Sequence, residues 1–197
     1  MGREAVNAST GDVYQPSDDT YLLIDALESA DIEECDMALE VGCGSGAVVE
    51  KLLEFADDVV AVDLKLPALR ATLARVKNDL HRVHVVASDR VAFLRAGAPV
   101  RLIACNPPYL PKDHDEQFDP DVHGGPRGTE FSEELVSSLV EVLNERGWDL
   151  LLVTSSRADY RSLFRLSEAL GLSTTVVAKK KLFFEEIFCL KLRPAGR

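Results

Sequence analysis

Residues 39–46 read Leu39-Glu40-Val41-Gly42-Cys43-Gly44-Ser45-Gly46, and this stretch decides the fold. An apolar strand runs into a glycine-rich turn, and a helix opens behind it from Ala47 to Leu53. Glycines permit a tight turn and let a ligand approach the backbone at the helix N-terminus. The next apolar run, Val59-Val60-Ala61-Val62, ends in Asp63, 21 residues past Gly42. A carboxylate at the end of the neighbouring strand suits a ribose diol. Gly42-x-Gly44-x-x-Ala47 also satisfies the loose dinucleotide fingerprint, but Glu40 before the first glycine would repel a pyrophosphate. A chain of 197 residues also leaves no room for a separate substrate domain.

A second turn names the chemistry. Val100-Arg101-Leu102-Ile103-Ala104-Cys105 is an apolar run that stops at Asn106-Pro107-Pro108-Tyr109. An amide nitrogen, or the exocyclic amine of adenine, has a delocalised lone pair, and no side-chain base deprotonates it at neutral pH. Positioning is the remaining device. The Asn106 side-chain oxygen and a nearby backbone carbonyl can accept both N–H bonds of an NH2 group. That aims the nitrogen at an electrophile and stabilises the positive charge developing on it. The prolines stiffen the turn and remove donors, and Tyr109 offers a face on which a planar group can stack. Hydride transfer has no evident use for such a turn. The glycine turn, Asp63 and the Asn106 turn, in that order, point to S-adenosylmethionine as cofactor.

The rest of the chain fits one α/β domain spanning 1–197, its first 30 residues forming a cofactor-covering segment and helix. A helix over Thr20–Ala30, capped by Asp18 or Asp19, precedes an acidic linker, Asp31 to Asp36. Strands are expected at Met37–Val41, Asp58–Val62, Val83–Ala87, Val100–Cys105 and Gly147–Thr154. Helices fall between them, one reaching from Pro67 to Asn78, one over Phe131–Asn144, and one over Ala158–Leu170 closed by Gly171. Two last strands, Leu172–Ala178 and Phe184–Leu192, would be joined by a lysine turn, Lys179-Lys180-Lys181. Alternating strands and helices imply right-handed crossovers and a parallel sheet. The expected architecture is Rossmann-like: a doubly wound, seven-stranded sheet with its last pair antiparallel. Lys112 to Thr129, rich in Asp, Gly and Pro, reads as a substrate-side loop.

Charge and cysteines bound the function. Net charge is −11, with 33 acidic and 22 basic residues, which weighs against a nucleic-acid substrate. An acidic surface is also what a high-salt cytoplasm selects. No apolar run approaches the ~18 residues of a membrane span, and Met1 to Tyr14 lacks a signal-peptide pattern, so a cytoplasmic protein is expected. Cys35, Cys43, Cys105 and Cys189 are scattered, reading as buried thiols in a reducing compartment rather than zinc ligands. Asp119, Asp121, His123, Gly124 and Glu130 imitate a calcium-loop spacing, but His123 is a poor calcium ligand and Pro126 obstructs the loop. Asp113, His114 and Asp115 read as solvated loop, so no metal site is expected.

With these residues in view, the chain resembles the HemK-like class I S-adenosylmethionine-dependent methyltransferases. It specifically resembles the short archaeal and eukaryotic release-factor glutamine methyltransferases. Val13-Tyr14-Gln15-Pro16-Ser17-Asp18-Asp19-Thr20 matches that group's N-terminal signature, with Gln15 and Ser17 departing from the commoner Glu and Ala. Gly124-Gly125-Pro126-Arg127-Gly128 resembles its Gly-Gly-x-x-Gly loop. The Asn106 turn is shared with adenine-N6 methyltransferases of RNA or DNA, the rival reading. The resemblance implies that Tyr14, Pro16 and Thr20 line the cofactor pocket, and that Glu40, Gly42 and Gly44 hold the methionine end. It implies Asp63 on the ribose, Leu64 beside the adenine, Asp89 on the adenine amine and Arg90 next to it. Asn106, which would also border the cofactor, Pro107 and Tyr109 would present a glutamine from the Gly-Gly-Gln loop of a class I translation release factor. The family also implies a heterodimer with a small zinc-binding activator subunit. The sequence offers that partner a place, since edge strand 83–88 is apolar and little blunted by charge.

Overall fold

The computed structural model describes residues 13–112, 117–143 and 147–196. Seven strands form one sheet: β1 (Cys35–Val41), β2 (Ala56–Asp63), β3 (Val83–Ala87), β4 (Leu102–Cys105), β5 (Asp149–Ser155), β6 (Leu172–Lys181) and β7 (Glu186–Pro194). The helices are α1 (Asp18–Ser29), α2 (Ala47–Leu52), α3 (Leu66–Arg75), α4 (Glu130–Leu143) and α5 (Tyr160–Ala169). Strand order is β3-β2-β1-β4-β5-β7-β6. The five strands from β3 to β5 pair in parallel, and β7 runs antiparallel to both β5 and β6. The expected doubly wound sheet, with its antiparallel final pair, is the one that forms.

The central strands are buried on both faces, which is why they read as continuous apolar runs. Alternation divides them between two cores. Val59, Ala61, Leu102 and Ala104 join α1 and α2 on one face, with Leu23, Leu27 and Leu52. Val60, Val62, Ile103 and Cys105 join α4 and α5 on the other, with Leu135, Leu139 and Leu163. The chain winds outward from β1 to β3, then returns to place β4 on the other flank of β1. At that reversal the strand ends splay and leave a crevice beyond their carboxyl termini.

Four local expectations are corrected. The lysine run is not a turn: Lys179, Lys180 and Lys181 extend β6, and the turn is residues 182–185. Cross-strand pairing with β7, as in Lys180 against Ile187, carries the strand through a sequence that its charges alone would have ended. The acidic linker is shorter than expected, because Cys35 donates to the Phe55 carbonyl at 2.9 Å and opens β1. Val100 and Arg101 fall outside β4, which starts at Leu102. Ser17, not Asp18 or Asp19, is the N-cap of α1, and its N–H donates to Thr20 Oγ1 at 3.4 Å. The expected end of α4 at Asn144 and the Asp113-His114-Asp115 cluster lie outside the described residues.

Candidate active site

A cleft of about 290 Å³ opens at the carboxyl ends of β1, β2 and β4. Tyr14, Thr20, Glu40, Gly42, Gly44, Asp63, Leu64, Asp89, Arg90, Asn106, Pro107 and Tyr109 all line it. Pro16 does not. It precedes the α1 N-cap, and its fixed φ turns the chain into the helix while Tyr14 and Thr20, on either side, face the cleft.

Each wall has a local cause. Asp63 is held at the end of β2 by two backbone donors, Gly44 N–H to Oδ2 at 3.1 Å and Lys65 N–H to Oδ1 at 2.8 Å. Its carboxylate therefore ties the glycine turn to the start of α3. Leu64 beside it is 69% exposed, an apolar side chain kept at the rim. Arg90 has a left-handed backbone, φ 45°. Its guanidinium pairs with Asp89 at 3.3 Å and Glu134 at 2.8 Å, and lies over the Phe131 ring at 5.4 Å. That wall is fixed from α4.

Two buried polar atoms in the cleft have no partner among the described residues: Glu40 Oε2 and Asn106 Oδ1. Burial, with Asp63 nearby, pushes the Glu40 carboxyl well above the usual range. An isolated buried carboxylate costs several kcal/mol, so a site that leaves one unsatisfied is shaped for a cation or a strong donor, at about that scale. The ammonium of a bound amino-acid moiety would supply such a donor.

The residue that the sequence reading missed is Asp19. It is 5% exposed and sits behind the Asn106 turn. Its Oδ2 accepts from the Tyr14 hydroxyl at 2.8 Å and the Tyr109 hydroxyl at 3.2 Å. Its Oδ1 accepts from the Ser17 hydroxyl at 2.8 Å and the Thr20 N–H at 2.7 Å. Burial alone would raise its pKa; the donors from Tyr14, Ser17, Asn106 and Thr20 outweigh it and hold the carboxyl below its ordinary value. A carboxylate only accepts, so the edge that Asn106 turns to Asp19 is its NH2. Its carbonyl oxygen is thereby directed away, unpartnered. Burial and Asp19 together push the Tyr14 phenol up to about 12 and raise Tyr109 further, so both remain donors. The sequence carried a signal for this hub, two aspartates at a helix start behind an aromatic residue. Position alone made them look like caps.

The Gly124-Gly125-Pro126-Arg127-Gly128 loop braces the same turn. Leu110 N–H donates to the Val122 carbonyl and Gly124 N–H to the Leu110 carbonyl, both at 3.0 Å. A Cβ on Gly128 would stand 2.4 Å from the Tyr109 carbonyl oxygen, so only glycine lets these backbones meet. Arg127 bridges to Glu130 at 3.0 Å and Glu133 at 2.6 Å, and Ser162 of α5 donates to Glu133. The carboxylates of the calcium-like spacing have other partners: Asp121 pairs with Lys65 at 2.6 Å, and Asp119 accepts from the Asp121 N–H at 2.9 Å. Among the described residues, no group of His, Cys, Asp and Glu side chains is placed to hold a metal ion. No described helix is long and apolar enough to cross a membrane.

Sheet order, glycine turn and Asn-Pro-Pro-Tyr turn together define a class I methyltransferase fold. The chain belongs to the methyltransferase small domain family, whose pattern it matches over residues 15–184. It is 31% identical to Methyltransferase HEMK2 of Mus musculus, the alignment covering 91% of this chain and 89% of the relative. It is 24% identical to the eRF1 methyltransferase catalytic subunit mtq2 of Schizosaccharomyces pombe, over 94% of this chain and 90% of that one. Among solved structures it is similar to E. cuniculi Mtq2, found in a Mtq2–Trm112 complex responsible for methylating the translation termination factor eRF1. That likeness has a TM-score of 0.75 at 26% identity, over 92% of this chain and 98% of the other.

Proposed function

We propose that this methyltransferase transfers the methyl group of S-adenosylmethionine to the side-chain amide nitrogen of a glutamine, in the Gly-Gly-Gln loop of a class I release factor. The observation that carries this reading is the Asn106 carbonyl oxygen, buried, unpartnered and oriented by Asp19. Such an acceptor fits a neutral NH2, whose N–H bonds it can take while the nitrogen lone pair is directed elsewhere. No lysine-type chemistry is required, and no base is needed before attack. Names carried by relatives, among them an eRF1 methyltransferase subunit, support the choice of substrate.

The cofactor supplies an electrophilic methyl on a sulfonium. The chain's own residues do the rest. Glu40 takes the ammonium of the methionine end, which gives its unpaired oxygen a partner. Asp63 receives the ribose hydroxyls on lone pairs that the Gly44 and Lys65 amides leave open. Leu64 and Arg90 border the adenine, with Asp89 as acceptor for its amine. Asn106 accepts from the glutamine NH2, Pro107 keeps its backbone from competing as a donor, and Tyr109 packs against the planar amide. As the N–C bond forms, the methyl–sulfonium bond would break and leave a neutral thioether, and the methylated nitrogen, whose acidity has risen, would pass its proton to water at the cleft mouth.

A small subunit of the kind seen with E. cuniculi Mtq2 fits the exposed edge of β3. That strand pairs only with β2 among the described residues, and His84 and Ala87 are exposed along it. Strand addition there would complete the sheet edge. The reaction belongs in the cytoplasm, with its substrate. The test combines the chain and this subunit with methyl-labelled cofactor and either intact release factor or RNA and DNA. Label on the glutamine supports the proposal; label only in nucleic acid transfers the site to adenine and refutes it.

A further inference from the structure

At the tip of the β6–β7 hairpin, Phe183 is 92% exposed and Phe184 is 85% exposed. Their rings pack edge to face, with centroids 4.7 Å apart. Exposed single apolar residues are ordinary; two adjacent rings that prefer each other to the core, on a four-residue turn, are not. The turn itself is anchored. Leu182 N–H donates to the Glu185 carbonyl at 2.8 Å, and the Ser155 hydroxyl donates to the Glu185 carboxylate. Leu182 packs into the same apolar cluster as Tyr109.

Topology puts this tip at the working end of the sheet. β7 is antiparallel to β5 and β6 is antiparallel to β7, so β6 points the same way as β1, β4 and β5. Its carboxyl end therefore lies on the side where the cleft opens. One contact ties it there: Lys180 pairs with Asp18 at 3.0 Å, next to the Asp19 hub. The tip is also at the opposite edge of the sheet from β3, the edge assigned above to the small subunit. Among the described residues Lys179 and Lys180 pair with Glu186 and Asp18, leaving exposed Lys181 as a positive charge two positions before Phe183, in a chain of net charge −11.

We propose that Phe183 and Phe184, with Lys181, form the second contact for the protein substrate: an aromatic wedge that grips the folded body of the release factor while its glutamine loop enters the cleft. The complementary surface is an apolar patch with a carboxylate at its border, on the domain that presents the loop. This rests on the reading of the substrate given above. A planar amide in a narrow cleft offers little area, and a macromolecular substrate needs anchoring aromatics outside it.

The test uses the full chain co-expressed with its small subunit, as wild type and as the double variant Phe183→Ser/Phe184→Ser. Both are assayed on an intact class I release factor and on a short peptide spanning its glutamine loop. The proposal expects kcat/KM for the intact protein to fall about ten- to hundred-fold, the range for losing two anchoring side chains. Peptide methylation and kcat at saturating protein should stay unchanged. Equal values for variant and wild type on the intact protein overturn it. A parallel loss on the peptide overturns it too, because the tip would then act on the cleft. So does a wild type that self-associates through the tip, with a monomeric variant that keeps full kcat/KM. If the wild type methylates neither substrate, the substrate assignment itself has failed, and that result is distinct from all of these.

Discussion

Replacing Asp19 with Asn exchanges one carboxylate oxygen for NH2 and should disable the enzyme. The carboxylate accepts five bonds of 2.7–3.3 Å, from Tyr14, Tyr109, Ser17 and both the backbone and the hydroxyl of Thr20, with the Asn106 NH2 turned toward it. An amide keeps one oxygen. Its NH2 would face either the two phenols or the Ser17–Thr20 pair; the Thr20 N–H can only donate, and the hydroxyls could accept from it only by turning away from their present bonds. Hydrogen bonds to a charged group are worth roughly 1.5–3 kcal/mol each, and water can replace part of the loss. A net destabilisation of about 2–4 kcal/mol follows for Asp19→Asn. The catalytic effect is separate. Without a pure acceptor behind it, the Asn106 amide has no reason to keep its oxygen toward the substrate. Losing one such oriented acceptor corresponds to about 100-fold in kcat, or ~2.7 kcal/mol. The assay is methyl transfer at saturating cofactor and substrate, well below the melting temperature, beside a denaturant titration and a cofactor-affinity measurement. Cofactor affinity should change less than kcat does. A variant that loses stability but keeps wild-type kcat would show that Asp19 only holds the fold, and the argument for its orienting role would fail.

Three other outcomes follow from the same contacts. Glu40→Gln removes a buried carboxyl whose charge the fold penalises. Its raised pKa means the penalty grows above the ordinary Glu value and is fully present only above the raised pKa. At a pH where that penalty is present, the melting temperature of the cofactor-free variant should rise while calorimetry shows weaker cofactor binding. Unchanged affinity would remove Glu40 from the site. Gly46→Ala places a Cβ 2.7 Å from Thr72 Cα at a φ of +79°, so α2 and α3 cannot keep their approach; urea unfolding should show a loss of about 3 kcal/mol. The Asp19 carboxyl, lowered in the fold, adds stability above its ordinary pKa of 3.8 that disappears as pH falls through the folded value. Acid unfolding monitored by circular dichroism should therefore be less steep below about pH 4 in Asp19→Asn than in the wild type.

The sheet was legible because its central strands are buried on both faces and its turns carry glycine and proline, and even the edge strand β3 keeps a short run of valines. Val83–Ala87 reads the same in sequence and structure. What the sequence hid depended on partners far along the chain. Lys179–Lys181 looks like a solvated turn until β7 pairs with it, and Cys35 looks like linker until Ala56 lies beside it. The site showed the same division. Glycines and Asn106 announce themselves by residue type and spacing. Asp19 does not, because its role comes from Tyr109, 90 positions away, closing over it. The family resemblance implies Pro16 in the pocket wall, yet it stands just before the α1 N-cap and does not line the cleft.

The central claim is that the Asn106 carbonyl acts on the NH2 of the substrate rather than on the cofactor or the fold. Asn106→Ala tests it with one pair of measurements: calorimetric affinity for the demethylated cofactor, and single-turnover methylation of the release-factor glutamine read by mass spectrometry. The account expects affinity within about tenfold of wild type and a methylation rate lower by about a thousandfold or more. A variant that methylates at the wild-type rate, or one whose lost rate is matched by lost cofactor binding, would contradict it.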